Sequence, residues 1–164
     1  MTKKLRPQIE RYAVRGQNES EFLIYKTQIK SRQPAVSSVV EQAAELFERA
    51  EIEVEVAGEV CLILAEALNN VVEHAYRNSE DGDIDIIVKM AVNWVTIEIN
   101  DFGPEYALPR STIMDSPGEH ALEDLPEGGF GWGLIEILTD GISLARIDNR
   151  NHLILSKKLF EVAT

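Results

Sequence analysis

The side chains able to do chemistry fall in three short stretches: AEALNNVVEHAYRN (Ala65 to Asn78), NDFGP (Asn100 to Pro104) and GGFGWGL (Gly128 to Leu134). The first carries the carboxylate of Glu66 and, four residues on, the amide of Asn70. The second places Asp101 two residues before Gly103, and in the third glycines alternate with aromatic residues. A carboxylate can take a proton from a hydroxyl, and an amide oxygen can ligate a hard cation. A buried aspartate can accept a hydrogen bond from an amino-bearing base, and glycines leave backbone N–H groups open to phosphate. In this order and at these separations they read as a site for ATP.

The first stretch must be helical for this to work. At 100° per residue Glu66, Asn70, Glu73 and Arg77 fall within a sector of about 60°, with Asn69 and His74 on its flanks. Opposite them Val60, Leu64, Leu68, Val71 and Ala75 form the stripe that packs onto a sheet. A polar helix face is often simply solvated. Adjacent amides are weaker helix formers than Lys or Glu, however, so Asn69 and Asn70 suggest a use beyond solubility. Taken singly, the second stretch reads equally as a turn after a strand, and the third as a glycine hinge with no ligand. The third also precedes a helical run, whose positive end favours phosphate. Neither GxGxxG after a first strand nor GxxxxGK[ST] occurs, which disfavours Rossmann and P-loop sites.

The remaining pattern supplies the scaffold. Phe22 to Ile29 alternates as a strand, and Gln33 to Ala50 has helical spacing with Pro34 in its first turn. A second helix is predicted from about Val54 to Tyr76. Asp81 to Asp83 turns into two alternating runs, IDIIVKM and WVTIEI, that read as a hairpin. Residues 104–128 hold four prolines and many acids and read as a mobile lid. Trp132 to Thr139 is predicted helical, and ISLARID and HLILSKKL form a closing hairpin around Asn149, Arg150 and Asn151.

Length and charge limit the alternatives. The 164 residues, 45% apolar, suit one domain with a sizeable core. Five basic residues against Glu10 in residues 1–16 leave the rest at −16 within a total of −12, so a basic, flexible tail precedes an acidic domain at 17–164. An acidic body repels phosphate backbones and argues against direct nucleic-acid binding. Cys61 stands alone, which excludes a disulfide or cysteine metal site. No run is apolar enough for a membrane span or signal peptide, and a cytoplasmic location is expected.

The ordered trio resembles the GHKL ATPase superfamily, and within it the bacterial anti-sigma factor serine/threonine kinases, from about Phe22 to Phe160. Glu66, Asn70, His74 and Ala75 reproduce the family's first motif. The resemblance implies an α+β fold, a two-layer sandwich of a mostly antiparallel mixed sheet covered by helices on one face. It implies Glu66 as general base and Asn70 as ligand of a Mg²⁺ held by the ATP phosphates. Asp101 would bind the adenine amino group, with Gly103 against the base. His74, Gly129, Gly131, Gly133 and Leu134 would complete the nucleotide site, with Gly131 and Gly133 over the phosphates. It further implies a homodimer and two competing partners: a sigma factor, and a STAS-domain anti-anti-sigma protein phosphorylated on Ser or Thr.

The sequence departs from that pattern in three places. Pro104 and Glu105 follow Gly103 where a second glycine is common. The last strand offers Leu153, beside His152, where relatives often have a threonine. Arg110 is the sole Lys or Arg between Asp101 and Gly133. An ATP-gated module without catalysis, and a histidine-kinase-type catalytic domain, therefore stand as alternative readings.

Overall fold

The computed structural model describes residues 8–14, 20–91, 93–108 and 130–159. Six strands form one sheet in the order β1-β2-β3-β4-β6-β5. They are β1 (Gln8–Val14), β2 (Ser20–Lys30), β3 (Asp83–Met90), β4 (Trp94–Asp101), β5 (Gly141–Ile147) and β6 (Arg150–Lys158). Helices α1 (Gln33–Arg49), α2 (Val54–Asn70) and α3 (Phe130–Leu138) complete the α+β architecture. All five strand pairings among the described residues are antiparallel. Residues Gln8–Val14, expected within a flexible tail, instead pair with β2 as an edge strand. Residues 109–128 of the expected lid lie outside the described residues.

Alternation along the strands decides which face is covered. Ile84, Ile86, Val88 and Met90 of β3, Val95, Ile97 and Ile99 of β4, and Leu153 and Leu155 of β6 are buried, while the residues between them are not. That inward face meets Val36, Val39, Ala43 and Phe47 of α1 and Val60, Ile63, Leu64, Ala67 and Leu68 of α2. Each large apolar side chain so buried stabilises the fold by roughly 1.5–3 kcal/mol. Among the described residues no helix is long and apolar enough to cross a membrane.

Local chemistry sets the ends of the helices. Pro34 occupies the first turn of α1, where no N–H partner is needed. At the other end Ile52 N–H bonds Phe47 O (3.1 Å) and Glu51 N–H bonds Glu48 O (3.0 Å), a Schellman closure that forces Glu51 to φ 56°. The longer helix departs from the sequence expectation. After Asn70 it becomes a π-helical turn, Val71–Ala75, closed by Tyr76 N–H to Val71 O at 3.0 Å. The extra residue per turn shifts the phase, and Arg77 and Asn78 take left-handed conformations beyond the helix. The regular period by which Glu73 and Arg77 were expected to share the face of Glu66 and Asn70 thus ends at Asn70.

The β5–β6 hairpin turns through two residues, Asp148 (φ 49°) and Asn149 (φ 62°), with Ile147 opposite Arg150. Positive φ at both central positions is the turn whose twist suits two-residue hairpins, and Asp and Asn tolerate it. The expected turn at Asn149 to Asn151 is thus corrected by one residue. Asn151 becomes a strand residue and points inward.

Candidate functional site

Three anchors draw the second stretch onto the end of the long helix. Tyr76, just past the π turn, donates from its hydroxyl to Asp83 O (2.6 Å) and accepts from Phe102 N–H (2.9 Å). Gly103 lies so close to Ala75 that a Cβ there would stand 2.8 Å from Ala75 Cβ and 2.9 Å from its carbonyl oxygen. A side chain at 103 would therefore lever the turn off the helix. Phe102 itself is exposed, and the Arg150 guanidinium stacks on its ring at 4.3 Å.

The third anchor is a row of polar side chains across three strands. Asp101 of β4 pairs with Asn151 of β6, which pairs with Arg146 of β5, so all three face the helix layer. Asp101 Oδ1 accepts from Gly103 N–H and from Asn151 Nδ2, both at 2.9 Å. Arg146 Nη1 donates to Asn151 Oδ1 (2.7 Å) and to Gly103 O (3.1 Å). Asp101 and Asn151 are buried, and Ser31 is the other buried polar residue described.

Asp101 Oδ2 is different: it is buried and has no hydrogen-bond partner. A buried acceptor without a donor costs free energy, so its retention points to a ligand that supplies one. Burial raises the Asp101 pKa above 3.8, opposed by the Asn151 and Gly103 hydrogen bonds, the charge of Arg146 and the nearby Tyr106 hydroxyl. That hydroxyl is also buried, with Asp101 beside it, and burial first and then the Asp101 charge push its own pKa up. A cleft of about 310 Å³ opens here, lined by Glu105, Tyr106, Leu108, Leu144, Arg146 and Asn151.

In the last turns of α2, before the π turn, the first and third stretches meet. A Cβ on Gly131, in the first turn of α3, would stand 2.6 Å from Glu66 Oε2 and 3.5 Å from Asn70 Oδ1. Glycine here gives the carboxylate room, and the positive end of α3 lies against both groups. Asn70 Nδ2 and Asn69 Oδ1 are buried without partners. The Asn70 amide oxygen, beside Glu66 and Gly131, is a neutral oxygen donor of the kind a hard cation such as Mg²⁺ accepts when phosphates and water fill the rest of its shell.

The remaining candidates are less closely placed. His74 is exposed within the π turn, and Leu134 is 37% exposed on α3. A Cβ on Gly133 would meet nothing within 4 Å, so it is not a point of close approach. Gly129 and Arg110 lie outside the described residues. Leu153 is buried and His152 faces the opposite side of the sheet, so neither is the strand partner of Asp101. That partner, Asn151, was missed together with Arg146. A polar residue in register with inward Leu153 and Leu155 was the available signal, hidden by placing Asn151 in the turn.

Residues 29–157 match the family described as the histidine kinase-like ATPase domain. The chain is 36% identical over 83 residues to the serine-protein kinase RsbW of Oceanobacillus iheyensis, covering 49% of this chain and 52% of that protein. It is 32% identical over 100 residues to the anti-sigma F factor of Clostridium botulinum, covering 60% of this chain and 68% of the relative. Its fold is shared with the crystal structure of the RsbU and RsbW domains of Rv1364c from Mycobacterium tuberculosis, at a TM-score of 0.59 and 15% identity over 83% of this chain and 32% of that one. The match to the first of these relatives thus spans about half of its length. With the family match running over residues 29–157, most of the chain, the chain belongs to the histidine kinase-like ATPase domain family.

Proposed function

We propose that this protein is an anti-sigma factor kinase: it binds Mg·ATP, transfers the γ-phosphoryl group to a Ser or Thr of a STAS-domain antagonist, and thereby switches a sigma factor between partners. The observation that carries the reading is a pair of unfinished polar groups along the last turns of one helix and the π turn that follows. Glu66, Asn70 and Gly131 converge in the last turns of α2, and the unpartnered Asp101 Oδ2 lies beyond Ala75, where the π turn ends. Glu66 and Ala75 are about 13 Å apart along the axis. An extended nucleoside triphosphate spans such a distance, base at Asp101 and phosphates at Gly131.

In this reading Asp101 accepts the adenine amino hydrogen, and the ring lies beside the turn that Gly103 seats against Ala75. Asn70 would hold the magnesium, which supplies charge neutralisation at the phosphates. Glu66 takes the proton of the incoming hydroxyl as its oxygen forms the new bond to phosphorus. The bond from phosphorus to the bridging oxygen breaks, and ADP leaves with that electron pair. Positioning and electrostatics dominate such transfers.

The relatives named a serine-protein kinase and an anti-sigma F factor support protein phosphorylation and a sigma partner; in this reading the sigma factor and the STAS protein compete, and a cytoplasmic homodimer is the working form. A phosphate of about −1.5 to −2 charges on the antagonist would be repelled by this acidic surface, which favours its release. Intact-mass measurement after incubation of the chain and the STAS protein with Mg·ATP tests the proposal. One added phosphate on the antagonist, stable to acid, is expected. No transfer alongside retained ATP binding would favour a nucleotide-gated binding module, and acid-labile phosphate a histidine-kinase-type reaction.

A further inference from the structure

We propose that Asn151, locked by Arg146, is a positioning residue for base recognition: it fixes the Asp101 carboxylate so that Oδ2 alone is presented to the ligand, selecting a base that offers an amino donor. This rests on the nucleotide reading of the site. It concerns residues that none of the three motifs contains.

The hydrogen bonding around Asn151 leaves no freedom. Its Oδ1 faces Arg146 Nη1 at 2.7 Å, and a guanidinium can only donate. The amide oxygen must therefore point at Arg146, and the NH₂ group must point at Asp101. A flipped amide would set donor against donor on one side and acceptor against carboxylate on the other. The two amide hydrogens go to Asp101 Oδ1 (2.9 Å) and Pro104 O (3.0 Å). Gly103 O, at 3.5 Å from Nδ2, is served by Arg146 instead.

Two consequences follow from one amide. Oδ1 is saturated by Asn151 and Gly103 N–H, so the carboxylate cannot rotate to trade oxygens without losing both bonds. The carbonyls of Gly103 and Pro104 are tied to the same pair of side chains, so the turn beside the base moves only with Asp101. Of the groups that oppose the upward push of burial on the Asp101 pKa, Asn151 is the largest. An immobile carboxylate with one oxygen left unpartnered accepts from an amino group. It repels an oxo group at the same place, so adenine should be preferred over hypoxanthine.

Titration calorimetry with ATP and with ITP, on the full chain and on Asn151→Leu, tests this. Leucine keeps the branched outline of the amide and removes every hydrogen bond. The expected result is an ATP affinity lowered by about tenfold or more, the scale of a lost bond to a buried charged group, while ITP changes little. If Asn151→Leu fails to give a cooperative melt, Arg146→Met leaves the amide in place but frees it to flip, and a smaller fall in the ATP-to-ITP ratio is expected. Equal weakening of both nucleotides would reduce Asn151 to a structural role and overturn the proposal. Absence of ATP binding by the unaltered chain would overturn the nucleotide reading, and the proposal with it.

Discussion

Replacing Asp101 by asparagine separates the demands of binding from those of folding. The amide oxygen can keep both bonds that Oδ1 makes, to Gly103 N–H and Asn151 Nδ2. Its NH₂ group then occupies the place of the open oxygen, and an adenine amino group meets a donor where it needs an acceptor. The lost bond and the opposed donors cost about 1–3 kcal/mol, a weakening of roughly 5- to 150-fold. Stability should move the other way. The folded-state pKa of Asp101 is raised above 3.8 by burial, so between the unfolded and folded values the native chain binds more protons than the unfolded one. Stability then falls as pH rises through that window, and the cost is present in full above the folded pKa. Asparagine never carries it. D101N should therefore melt at or above the temperature of the unaltered chain at pH 7, with the difference shrinking as pH falls toward 3.8. Calorimetric titration with ATP and melts across pH test both halves. Unchanged ATP affinity would remove Asp101 from the site, and a lower melting temperature at pH 7 would show that its charge stabilises the fold.

Three further outcomes are expected. Glu66→Gln should keep ATP affinity and lose phosphoryl transfer by roughly 10² to 10⁴, read by radiolabel transfer to the antagonist; lost ATP binding would contradict the role. Gly131→Ala places a Cβ 2.6 Å from Glu66 Oε2, which displaces the carboxylate. Helix propensity alone favours alanine by about 1 kcal/mol, so the melt should not suffer while kcat falls more than KM for ATP rises; an unchanged kcat would refute the contact. Glu51→Gly should raise the melting temperature by relieving a left-handed residue, worth about 1 kcal/mol. A lower melting temperature would show that the Glu51 side chain contributes more than its backbone costs.

Much of the frame was legible because it is written in local periodicity. The alternation of Ile84, Ile86 and Val88 with polar neighbours, and the spacing of Val60, Leu64 and Leu68, each name a buried face without knowledge of what covers it. Pro34 and the glycines of the third stretch likewise announce a helix start and a place of close approach. What escaped notice was decided by distant partners. Edge strand β1 draws its identity from pairing with β2, and the π turn after Asn70 from the need to bring Ala75 against Gly103 and Tyr76 against Phe102.

The candidate site divides along the same line. Residue types and their order within each motif, Glu66 with Asn70, Asp101 with Gly103, are properties of the chain alone, because helix pitch and strand pleat carry them. That Asp101 is held by Asn151 and Arg146 depends on β4 lying beside β6, and on a turn at Asp148 and Asn149 that sets which side chains face inward. Strand register has a period of two, so one residue of slip turns Asn151 from a partner of Asp101 into a solvent-facing side chain. Only the assembled sheet settles that choice, since the hydrogen bonds that reward it join residues 50 positions apart.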